Sequence, residues 1–208
     1  MATLIETPAE PKVEQTPIVE QTPVTTRRRF TVAEYNLMGQ TGILQPDERV
    51  ELIEGEIQKM SPKGTKHSSS TTYAGDCFRK SLGDRVIVRV QDPIDLGEHS
   101  EPEPDLILAI PHKTKYADHH PTPQEVLLVL EISDTTLAKD RIIKARLYSQ
   151  AGVIQYCILN LNARELEDYR DPDESGYRTK HTYKADESFS LVAFPDLSIA
   201  VGELLPPE

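Results

Sequence analysis

Cysteine is scarce in this chain. Cys77 and Cys157 are too few for a disulfide framework and lack the C-x-x-C spacing of a metal knuckle, so a reducing, cytoplasmic setting is the expectation. Long apolar runs are missing as well. Val126–Leu130 spans five residues, far below the roughly 20 that a membrane-spanning helix needs. The N-terminus has no apolar signal-peptide core, so no membrane association is expected. Basic residues are in deficit: 23 Lys and Arg stand against 34 Asp and Glu, for a net charge of −11. That excludes a generic nucleic-acid coat protein, which needs clustered cations. It leaves open an enzyme that gathers carboxylates around a cation, because a bound metal reverses the local sign. Neither a Gly-x-Ser-x-Gly elbow nor a P-loop occurs, which sets those hydrolase chemistries aside.

What remains is a globular balance of 38% hydrophobic and 27% charged residues. Residues 1–26 read as a disordered tail, with Pro8, Pro11, Pro17 and Pro23 spaced among Thr and Glu and a repeated Val-Glu-Gln-Thr-Pro. Residues 27–208 read as one folded domain, opened by Arg27, Arg28 and Arg29 as a solvated boundary. Thr31 and Glu34 predict a capping box and a short helix to Met38. A strand from Val50 turns or bulges at Gly55, with Glu51 among its apolar residues as a further candidate acid. A helix is expected over 67–82 with Tyr73, Cys77, Phe78 and Leu82 on one face, and His67 as a cap or surface residue. Val86–Val90 reads as a strand ending at Gln91. The loop over 111–124, with His112, His119, His120 and Tyr116, reads as a solvated surface loop without zinc spacing. Val153–Asn160 predicts a strand in parallel register with an earlier one. An outer hairpin follows at 165–184, then one or two edge strands from Phe189 to Leu205.

The residues that organise the chain lie between 105 and 148. Leu106–Ile110 and Val126–Ser133 are short apolar runs of the kind found in buried central strands, and each carries one acid. Asp105 opens the first and Glu131 sits near the end of the second. If the strands pair antiparallel, both carboxylates fall at one sheet edge, the arrangement a divalent metal requires. Ser133–Thr136 predict helix caps, and the helix that follows ends at Gly152. At about 100° per residue, Leu137, Ile143, Leu147, Tyr148 and Ala151 share an apolar arc, with Lys139, Arg146, Ser149 and Gln150 opposite. Asp140 and Lys144 fall inside that arc, where an unpartnered charge costs several kcal/mol. Lys144 is therefore expected to point at the Asp105/Glu131 edge. Short connections bring Gln91 to the same edge.

The order helix, three meandering strands, helix, strand, with Pro104-Asp105 opening one strand and Glu131 ending the next, resembles the PD-(D/E)XK core of restriction endonucleases. More closely, the chain resembles the Uma-two family, whose members are assigned as endonucleases. The matching stretches are Glu51–Ile57, Gln91–Ile94, Pro104-Asp105, Val129–Ser133, Asp140–Tyr148 and Ala151–Val153. One departure stands out: Ser133 occupies the position where the signature expects lysine, and Lys144 from the following helix is the replacement. The resemblance implies an α/β fold with an αβββαβ core, a central mixed sheet flanked by helices, and added outer strands. It implies Mg²⁺ or Mn²⁺ held by Asp105, Glu131, the Ile132 carbonyl and Glu51, with Lys144 acting on the attacking water. Gln91, Asp140 and Tyr148 would support them. The expected reaction is hydrolysis of DNA phosphodiester bonds by a homodimer. The alternative is a nuclease-like fold that binds nucleic acid or a protein without cutting.

Overall fold

A computed structural model describes residues 27–207; the expected tail over 1–26 lies outside them. Helix α1 (Val32–Gln40) opens with the expected capping box, Thr31 accepting from the Glu34 N–H while Glu34 accepts from Thr31. Strands β1 (Val50–Ile53) and β2 (Glu56–Lys59) form a separate antiparallel hairpin. Its turn holds Glu54 and Gly55 at positive φ, and a Cβ on Gly55 would lie 2.5 Å from that of Arg29, so glycine is required there. A bridge between Leu52 and Glu101 ties the hairpin to the body.

Helix α2 (Thr65–Leu82) buries a stripe that includes Ala74, Gly75, Cys77, Phe78 and Leu82. Tyr73, expected in that stripe, is exposed instead. The small residues Ala74 and Gly75 carry the contact, and a Cβ on Gly75 would meet Leu106 at 3.7 Å. Strands β3 (Ile87–Val90), β4 (Leu106–Ala109), β5 (Val126–Ser133), β6 (Gln155–Asn160), β7 (Glu165–Asp173) and β8 (Gly176–Lys184) form one mixed sheet in sequential order. All neighbours run antiparallel except β5 and β6, which are parallel as expected for a helical connection. The connection runs through α3 (Leu137–Lys139), a π-helical turn (Asp140–Lys144) and α4 (Ala145–Gln150).

Both sheet faces are covered, which explains why β4 and β5 read as continuous apolar runs rather than alternating ones. Leu106, Leu108, Leu128, Leu130 and Ile132 pack with Phe78 on the α2 side. Ile107, Ala109, Val129, Tyr156 and Ile158 pack with Ala145 and Tyr148 on the other. Strands β9 (Ser188–Leu191) and β10 (Phe194–Ala200), expected at the edge of the main sheet, pair with each other instead. Their Phe189, Leu191 and Ile199 close the α2-side core. The loop over 111–124 is not simply solvated: Tyr116 is buried at positive φ and donates to the Ile110 carbonyl at 2.9 Å. None of the helices described is long and apolar enough to cross a membrane.

Candidate functional site

Strand register assembles the site. Leu106 pairs with Leu130, so one step beyond, where β4 begins, Asp105 comes level with Glu131. Side chains alternate along a strand, so Asp105 shares the face of Ile107 and Glu131 that of Val129, the face under the 137–150 helix. Both carboxylates line a cleft of about 390 Å³ together with Glu51, Asp140 and Lys144. The spatial condition set by the sequence is met: the acids share one face and Lys144 is only 5% exposed.

Lys144 Nζ lies 2.8 Å from Glu131 Oε1 and 3.7 Å from Glu51 Oε2. The Tyr148 hydroxyl donates to the same Glu131 Oε1 at 3.0 Å. Glu131 Oε2 meets no donor among the described residues. Burial pushes the Glu131 carboxyl up against the pull of Lys144, and the charges of Asp105 and Asp140 add to the rise. Burial pushes Lys144 down, but Glu131, Glu51 and Asp140 outweigh it and keep the side chain an ammonium.

Asp105 is held on every side. The Ile132 N–H donates to Oδ2 at 2.9 Å, Gln91 Nε2 to Oδ1 at 3.2 Å, and His67 Nε2 lies 3.0 Å from Oδ2. Burial pushes its carboxyl up, but hydrogen bonding and charge from His67, the Ile132 N–H and Lys144 bring it below its ordinary value. Gln91 reaches Asp105 from a left-handed backbone conformation, with φ at 55°, and its own N–H donates to the Asp105 carbonyl at 3.1 Å. A non-glycine residue held there is a local strain that the paired strands impose.

His67 corrects its sequence assignment: it is a site residue rather than a cap or surface residue. A carboxylate only accepts, so the proton of the bond to Asp105 sits on Nε2. The other nitrogen, Nδ1, is buried with no partner. The spacing of apolar residues carries no signal for this, because His67 reaches the strands from the exposed first turns of α2.

Two further assignments shift. Glu51 does reach the cleft, but its carboxylate is engaged by Lys139 at 2.9 Å and by Lys144. Burial raises Glu51, yet the two lysines carry it below its ordinary value. Asp140 acts on the ammonium through its charge rather than by a direct ion pair, the ion pairs being with Glu131 and Glu51; Asp140 Oδ2 accepts from the Thr136 hydroxyl at 2.7 Å. That bond takes the side chain expected to cap the helix, which starts without a side-chain cap. Ser149, expected outside, is buried and donates to the Asp173 carbonyl at 2.7 Å. The wide turn over Asp140–Lys144 changes the angular register that a 3.6-residue period assumes.

No curated protein matches the chain. Among solved structures, it is similar to the crystal structure of "a putative nuclease belonging to DUF820 from Anabaena variabilis ATCC 29413". That likeness has a TM-score of 0.65 at 15% identity and covers 84% of this chain and 97% of the other. It shows the fold, a restriction-endonuclease-like mixed sheet flanked by helices. A family model described as "Putative restriction endonuclease" matches residues 32–202, from the first residue of α1 to just past β10, and the chain therefore belongs to the Uma2 family.

Proposed function

We propose that the protein is a nuclease that hydrolyses DNA phosphodiester bonds with Mg²⁺ or Mn²⁺. The observation that carries this reading is the convergence of Asp105, Glu131 and Lys144 in one buried cleft. The donor set suits a hard cation. Magnesium takes one or two carboxylates and fills its remaining positions with water and phosphate oxygens. Among the described residues, no three His, Cys, Asp or Glu side chains converge to hold an ion, so the fit is to a two-carboxylate site. Asp105 and Glu131 would hold the ion with the Ile132 carbonyl, while Glu51 serves the lysines. When bound, the ion supplies Lewis acidity toward a phosphodiester and acidifies water.

The chain's own residues do the rest. His67, Gln91 and the Ile132 N–H fix the plane of the Asp105 carboxylate. Tyr148 and Lys144 fix Glu131. Lys144 remains an ammonium beside the reacting phosphate, where it orients water and offsets developing negative charge. Cutting both strands with one site per chain calls for two copies, so a twofold homodimer belongs to this reading.

Asp105→Ala and Glu131→Ala should each abolish Mg²⁺-dependent DNA cleavage while circular dichroism reports an intact fold. Unchanged cleavage by either purified variant ends the proposal. A second reading, a nuclease-like fold that binds without cutting, is favoured by the occupation of Glu131 Oε1 by both Lys144 and Tyr148. Calorimetry separates the two: a wild-type chain that takes up no Mn²⁺ is a binding module.

A further inference from the structure

Most cations in this acidic chain are already neutralised. Lys139, Arg141, Arg146, Arg170, Lys180 and Lys184 each reach a carboxylate within 4.0 Å. Arg49, Lys59, Lys63 and Lys66 form no ion pair among the described residues; the first three line the cleft, where Glu103 lies within electrostatic reach of Arg49 and Lys63 without pairing with either. Arg49 directly precedes β1 and Lys59 closes β2, and the Met60 N–H donates to the Arg49 carbonyl at 2.9 Å, pinning the start of the loop. Lys63 lies in that loop and Lys66 in the first turn of α2. Other cations without an ion pair, such as Lys80, Lys113 and Lys115, lie away from the cleft lining.

We infer that Arg49, Lys59, Lys63 and Lys66 form a one-sided track for the phosphate backbone of a single nucleic-acid strand, leading from the carboxylate cleft across the start of α2.

The cavities agree with such a path. The cleft takes Arg49, Lys59, Lys63, Gly64 and His67 into its lining. A second groove, of about 580 Å³, is lined by Thr65, Lys66 and Ser69 from the start of α2 and by Leu161, Arg164 and Leu205. Both take residues from the start of α2, whose first turn has no side-chain cap and no acidic residue, so its N–H groups add to the positive side of the path. The segment after β5 contributes Asp134 and Thr135 to the lining, and its Lys139 is consumed by Glu51. Phosphate contacts on one rim follow one backbone; a duplex presents two. The apolar residues of the second groove suit bases and sugars rather than a second row of phosphates.

This inference rests on the nucleic-acid reading above, but not on catalysis or metal. It is tested by fluorescence anisotropy of the full chain with a labelled single-stranded oligonucleotide, and with the corresponding duplex, in EDTA. The single strand should bind at least as tightly as the duplex. Affinity should fall with salt with a log–log slope of about 3, from four contacts at about 0.7 each. Lys63→Glu with Lys66→Glu should weaken binding by at least about tenfold and lower that slope, while the melting temperature stays at the wild-type value. Charge reversals without effect on binding, or a duplex bound where the single strand is not, would overturn the track. Failure of the metal proposal shows separately, as absent Mn²⁺ uptake by the wild-type chain whose strand binding is intact.

Discussion

Lys144→Met tests the centre of the site. The substitution keeps an unbranched side chain one atom shorter and removes the ammonium lying 2.8 Å from Glu131 and 3.7 Å from Glu51. Breaking a buried ion pair from one side costs about 3–5 kcal/mol, because the partner stays behind uncompensated. Here both partners keep a donor: Glu51 retains Lys139 at 2.9 Å, and Glu131 retains Tyr148 at 3.0 Å. The lower end, about 3 kcal/mol, is therefore expected, which for a domain of this size lowers the melting temperature by about 6–12 °C. Activity should fall much further, by about 10²–10⁴-fold, since the group that orients water and meets developing charge is gone. Urea titration gives the first quantity and cleavage of supercoiled plasmid with Mg²⁺ the second. A folded Lys144→Met protein that cuts at the wild-type rate would refute the catalytic assignment, and unchanged stability would refute the burial argument.

Two other perturbations isolate supporting groups. His67→Ala removes one of three donors to Asp105 and should weaken Mn²⁺ uptake by about 10–100-fold, as partners of metal ligands commonly do. His67→Gln should recover part of that affinity, and calorimetry showing wild-type uptake by the alanine variant would contradict the positioning role. On the far side of the 137–150 helix, burial pushes Glu167 up, but hydrogen bonds from Arg141, Tyr169 and Lys180 overcome it and hold its carboxyl at about 2. A depressed folded-state value contributes stability that is complete above the ordinary 4.5 and lost as pH falls through about 2, an effect of about 1–2 kcal/mol once the partly exposed Arg141 and Lys180 are screened by solvent. Glu167→Gln should therefore lose stability at neutral pH and flatten the pH dependence in that window, and parallel acid-unfolding curves for the two proteins would sink this account.

The parts of the site that were legible in the sequence are those where charge conflicts with pattern. Asp105 and Glu131 interrupt apolar strands, and Lys144 sits within an apolar helical arc, so each demands a buried partner before any coordinates are known. Antiparallel register then makes the partners one another. His67 conflicts with nothing: it lies at the polar start of a helix, and only the approach of α2 to the head of β4 gives it a role. Lys139 was hidden for the same reason, since a lysine on the outer arc reads as solvated until the β1–β2 hairpin presents Glu51 beside it. The separate pairing of β9 with β10 was equally out of reach, because strand propensity does not choose a partner.

The departure at residue 133 is where local pattern and site geometry disagree, and it leads to a last prediction. Residues two apart on a strand share a face, so a lysine at 133 would rise on the same side as Glu131 and reach along the strand toward it. In this chain Ser133 is buried and small, which leaves the space beside Glu131 to a lysine descending from the helix. The π-helical turn sets Asp140 and Lys144 on the buried side, and both face the strand ends. If the reaction requires an ammonium at that place rather than at a given chain position, Ser133→Lys added to Lys144→Met should restore cleavage to within about tenfold of wild type. Overpacking at residue 133 should cost about 1–3 kcal/mol, so the comparison belongs at a temperature where urea titration shows both proteins folded. A folded double variant no faster than Lys144→Met alone would mean that the helix supplies more than a positive charge. The orientation of the ammonium by the π-helical turn would then be the property to examine.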